Sequence, residues 1–198
     1  MWESVPVHYS ELANTEYKVE KMSKQMALRP LDVPVALRLA ECPEATFEAL
    51  HDALGISVST AHDAVVRLSA AGLVYPHARK VNRHALMEFL EHGVRYAFPA
   101  MLGAGRSRGI PTAHASPALA KEIVATDPIV WQSSLGTVTG DAMEPLYPQA
   151  VELPQRCPSV YESLTLVDAL RVGRARERKI AVEKLRGWLR QTRAAQDA

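Results

Sequence analysis

Ser57, Ser59, Thr60, His62, Asp63 and Arg67 fall close together, and Arg79 and Lys80 follow shortly after. Short hydroxyls, one imidazole, one carboxylate and long cations are the groups that hydrogen-bond base edges and phosphates. Other candidates lack the spacing their chemistry requires. Cys42 and Cys157 stand far apart with no CxxC, so neither a disulfide framework nor a cysteine zinc site follows. His8, His51, His62, His77, His84, His92 and His114 include no HxxxH or HExxH pair. Gly103 and Gly105 begin a glycine-rich loop, but Arg108 stands where a dinucleotide loop needs its third glycine. Asp127, Asp141 and Glu144 sit among prolines and read as turn residues. No nucleophile motif or carboxylate pair suggests shared acid-base work, so the expectation is a non-enzyme with no metal and no cofactor.

The elements that must position the first group can be read from their ends. Asp32 is expected to cap a helix with Pro34 in its first turn and Cys42-Pro43 at its close. Thr46 caps a second helix bearing Phe47, Leu50 and Leu54, which Gly55 ends as a left-handed residue. Ser57 caps a third, with Val58, Ala61, Val65 and Leu68 at helical spacing until Gly72. Leu73 to Val81 reads as a small hairpin with Arg79 and Lys80 on its basic return. Asn82 then caps a helix whose Leu86, Phe89, Leu90 and Ala97 face the core, ending at Phe98-Pro99.

A B-DNA major groove is about 12 Å wide and admits one helix, provided a second helix braces it through a tight turn. The helix after Ser57 meets that condition and leaves Ser57, Ser59, Thr60, His62, Asp63 and Arg67 on its open face. The run TFEALHDALGISVSTAHDAVVRLSAAGLVY resembles the core of bacterial winged helix-turn-helix transcriptional regulators of the MarR-like kind, over about a quarter of the chain. That resemblance implies Gly55 in the turn, Ser57 to Arg67 on the recognition helix, and Arg79 and Lys80 on a wing beside phosphate or minor groove. His51 departs from the small residue usual in the brace helix. The runs VNRHALMEFLEHGVRYAFPA, RGIPTAHASP and VDALRVGRARERKIA resemble the downstream part of a group of bacterial winged-helix proteins, which implies a fold and no ligand.

Pro99, Pro111, Pro117, Pro128, Pro145, Pro148, Pro154 and Pro158 exclude long helices from the stretch between 99 and 158. Met101 to Pro111 reads as a flexible Gly-rich arm whose Arg106 and Arg108 could follow DNA phosphates or a minor groove, or equally contact a partner subunit. The segment from 128 to 155 holds Ile129, Val130 and Trp131, and Ser133 to Gly136 suits a short hairpin; it is too short and Pro-rich to own a core. Two helical stripes follow: Tyr161, Leu164, Val167 and Leu170, then Ile180, Leu185, Trp188 and Leu189. The second carries the most basic surface of the chain, and Trp188 is the expected dimer anchor.

The expected fold is mainly α with a small β-hairpin wing: an N-terminal extension (1–30), a winged helix-turn-helix (31–98), a Pro/Gly-rich arm with short strands (99–158) and basic C-terminal helices (159–198). Because Lys and Arg total 23 against 22 Asp and Glu, whole-chain charge decides nothing about nucleic acid. Asp63 and the few cations on the reading helix call for a homodimer engaging two half-sites about 34 Å apart. The expected function is a sequence-specific double-stranded DNA-binding regulator reading an inverted repeat. An antitoxin-like autorepressor, whose C-terminal half binds and neutralises a partner protein, is the alternative. No run reaches the roughly 18 apolar residues of a membrane span, and acidic residues occupy the N-terminal stretch where a signal peptide is apolar. The expected location is therefore cytoplasmic.

Overall fold

The computed structural model describes residues 26–76, 78–123 and 127–194; most of the expected N-terminal extension and His77 lie outside them. The chain is mostly helical, with one small sheet and C-terminal helices. Helix α1 (Asp32–Glu41) is buried on nearly every side through Val33, Val35, Ala36, Leu37, Leu39 and Ala40. Asp32 is its first residue rather than its cap, which is Leu31, and one carboxylate oxygen accepts the Arg29 amide at 2.8 Å.

Helices α2 (Phe47–Leu54) and α3 (Val58–Ala70) begin where their caps require. Thr46 Oγ1 accepts the Ala49 amide and Ser57 Oγ the Thr60 amide, each at 3.1 Å. Gly55, at φ 69°, supplies the left-handed turn between them. Past Gly72, the chain doubles back through a Val74–Val81 bridge, with Tyr75 N–H donating to Lys80 O and Asn82 N–H to Leu73 O.

Asn82 caps α4 (Arg83–Glu88), which runs through a π turn (Phe89–Gly93) into α5 (Val94–Ala97). The buried stripe is Leu86, Leu90 and Val94, with Phe98 packed beside it, a repeat of four. A 3.6-residue helix would carry such a stripe steadily round its axis, and the wider turn takes up the drift. For this reason Ala97, expected in the core, is exposed and Val94 replaces it.

The expected mobile arm is instead folded. β1 (Leu102–Thr112) pairs antiparallel with β3 (Val138–Met143) through its first part and with β2 (Ile129–Gln132) through its last, while β2 and β3 run parallel. Each strand touches both others, so the sheet closes on itself. Closure depends on glycine: a Cβ on Gly109 would stand 2.1 Å from Trp131 O, and one on Gly140 2.1 Å from Pro128 O. Ile129, Trp131 and Met143 are buried in the core they share with the helices, so the segment packs against the rest of the chain.

A 3₁₀ turn (Pro148–Glu152) and short α6 (Leu153–Arg156) lead to α7 (Pro158–Val172), the second central helix. Its fully buried Asp168 accepts Thr112 Oγ1, Trp131 Nε1 and an Arg171 nitrogen, each at 2.7 Å. Arg171 also donates to Phe98 O at 2.8 Å. One carboxylate thereby ties the barrel to the helical layer. After Gly173, α8 (Ala175–Ala194) packs inward through Ala181, Leu185 and Leu189. Trp188, the expected dimer anchor, is half-buried against the chain's own core.

Candidate nucleic-acid interface

The N-terminal turn of α3 carries the densest set of exposed hydrogen-bonding groups among those the sequence singles out. Ser57 Oγ lies 3.0 Å from Ser59 Oγ and 2.7 Å from Thr60 Oγ1. Three hydroxyls share one cluster at the positive end of the helix dipole, each able to donate or accept. Ser57, Ser59, His62 and Asp63 are exposed and Thr60 is half-buried. His62 Nδ1 stands 3.6 Å from the Asp63 carboxylate. The structure therefore brings five of the six expected α3 residues to one surface.

The sixth, Arg67, is a correction. It is 4% exposed and forks onto Asp32 through three hydrogen bonds of 2.6 to 3.2 Å. Those bonds raise its pKa further above the ordinary arginine value, against the opposing effect of burial. The face opposite the core therefore lacks its one expected arginine. Val58, expected inside, is 41% exposed, and Val66 is 39% exposed.

Arg79 also differs in aim from its expected role. Its guanidinium covers the Phe47 ring at 5.2 Å and donates to Ala45 O at 3.1 Å, while Phe47 meets His62 edge-on at 5.4 Å. A left-handed φ of 47° at Arg79 directs the side chain this way. Hairpin, α2 and α3 are thus pinned together by one cation and two rings. Lys80 remains exposed beside them.

Arg106 and Arg108 belong to β1 rather than to a mobile arm. Arg106 pairs with Asp127 at 3.0 Å and donates to Thr139 O at 3.3 Å; Arg108 donates to Gly136 O. These bonds brace the barrel across its strands, while both arginines stay exposed on its surface. Nothing in the spacing of Arg83 singles it out, yet it donates to Leu189 O, Thr192 Oγ1 and Ala40 O, fastening α8 to α4 and α1. Its signal is three-dimensional: the acceptors lie 43 to 109 positions away.

Among the described residues, no three His, Cys, Asp or Glu side chains gather as a metal site, and no helix is long and apolar enough to cross a membrane. No protein-family model, curated protein or solved structure matches the chain.

Proposed function

We propose that the chain is a cytoplasmic, sequence-specific regulator that binds double-stranded DNA as a MarR-like winged helix-turn-helix, with α3 in the major groove. The observation that carries this reading is the exposed Ser57, Ser59 and Thr60 hydroxyl cluster at the start of a helix braced by α2 through left-handed Gly55. Hydroxyls there can reach base edges, while the helix N-terminus favours phosphate. The hairpin flanks the same helix and offers Lys80 to the backbone. With Arg67 occupied by Asp32, a single copy offers few cations along α3, so a homodimer spanning an inverted repeat supplies the affinity.

Selection from a random duplex pool tests the reading: it should enrich a short inverted repeat. Replacing Ser59 and Thr60 with alanine should then weaken binding to that repeat about tenfold, since one good base contact is worth roughly 1–3 kcal/mol. No enriched sequence, or undiminished affinity in the double variant, overturns it.

A further inference from the structure

Away from the α3 surface, α8 lies alongside α4 and α5, running opposite to them. Arg83 meets Leu189 and Thr192 at one end, and Arg186 meets Glu91 midway. Between these helices runs a groove made of two adjoining depressions of about 490 and 510 Å³. They share Glu91, His92 and Arg186, and the π turn places Glu91 and His92 at that junction.

The lining is unevenly charged. Arg178, Lys179, Arg186, Arg190 and Arg193 enter from α8, Arg95 from α5 and Arg83 from α4, against the carboxylates of Glu88, Glu91 and Glu183. Arg186 is occupied by Glu91. Lys179 and Arg190 are exposed and form no ion pair among the described residues. Eleven helical positions put them about 16 Å apart along the axis. A single small anion satisfies one of them, whereas a polyanion satisfies both. At the Lys179 end, Tyr96 is 75% exposed and Arg95 lies over its ring at 5.2 Å.

We infer that this groove holds the phosphodiester backbone of duplex DNA, with Lys179 and Arg190 contacting separate phosphate groups several positions apart, outside the α3 surface. The inference rests on the DNA reading for its class of ligand, and it names where the phosphate contacts that α3 lacks are made. A polyanionic backbone matches the elongated shape of the groove, its charge and the separation of Lys179 from Arg190. Duplex bases stay stacked away from Tyr96, while a single strand can lay a base on it.

The test uses the full chain, a random-sequence duplex of thirty base pairs and an oligo(dT) strand, with anisotropy read across a salt series. Changing both Lys179→Ala and Arg190→Ala should reduce the duplex salt slope by about 1.8, because each lost phosphate contact removes roughly 0.9. Affinity at low salt should fall at least tenfold, with the thermal melt unchanged. Tyr96→Ala should leave duplex affinity unchanged, whereas a Lys179→Ala, Arg190→Ala variant that loses oligo(dT) binding but keeps its duplex slope overturns the duplex assignment in favour of a single strand. An unaltered slope and affinity in the Lys179→Ala, Arg190→Ala variant overturns the groove assignment, even if Ser59→Ala and Thr60→Ala still weaken the selected repeat. Conversely, loss in the groove variant with no enriched sequence sustains the groove and overturns the sequence-specific reading. Binding of neither nucleic acid, with binding of polyglutamate instead, overturns the groove assignment in favour of an acidic protein partner.

Discussion

Asp32 and Asp168 are both buried beside an arginine, yet they hold different kinds of junction. Asp32 receives Arg67 from 35 positions away, so one pair locks α1 to α3. Asp168 takes its arginine from its own helix and uses its remaining capacity for Thr112 and Trp131, which belong to the barrel. The first is a bolt between two helices; the second is a hub joining two layers. Burial pushes the Asp168 carboxyl up, while Arg171, Thr112 and Trp131 pull the other way. A bolt can be replaced by apolar groups of matching shape. A hub has too many partners for that.

Breaking the hub should have the largest effect. Asp168→Ala leaves Arg171 buried without its carboxylate and removes an acceptor from Thr112 and Trp131. It should cost about 5 kcal/mol in denaturant unfolding, the upper end for a broken buried pair. A loss under about 1 kcal/mol would show that the barrel holds without it.

Asp32→Ala should cost about 3 kcal/mol, since Arg67 then stays charged without its acceptor. Replacing both partners, Asp32→Leu with Arg67→Met, should recover most of that loss, because no unpaired charge remains. If the double replacement is as unstable as the single one, Asp32–Arg67 is more than a bolt.

The smallest effect sharpens the hub side. Tyr161 packs edge-on against Trp131 at 5.8 Å and donates to Pro111 O at 2.6 Å. Burial, with a smaller contribution from Glu162, pushes its phenol up to about 12, above the unfolded value near 10. A raised folded value means the Tyr161 contribution is whole below pH ~10 and lost as pH rises through about 12. Melting temperatures from pH 9 upward should show that loss in the wild type, and Tyr161→Phe should remove this part of it. Identical alkaline curves would place the phenol outside the junction.

Local chemistry made the first three helices legible. Thr46, Gly55, Ser57 and Gly72 signal their ends through contacts within a few residues, and α2 and α3 begin and end accordingly. Nonlocal chemistry hid the rest. Arg67 reads as an open-face cation until its partner, Asp32, is folded against it. The barrel joins β1 to strands on the far side of a long connection, and no periodicity announces pairing at that range. Of the candidate surface, the hydroxyl cluster could be read from a cap and its neighbours, whereas the aim of Arg79 depended on Phe47 and Ala45.

The π turn at Phe89–Gly93 has a hereditary consequence. It adjusts the helix by a fraction of a turn, so the reading frame of the buried stripe depends on how many residues the turn contains. Point changes on its outer side leave that frame intact, but loss of one residue would rotate everything after it by about 100°. Val94 would then leave the core, and Phe98 would swing away from Arg171. Lineages carrying this fold should therefore vary in sequence along α4 and α5 far more readily than in length.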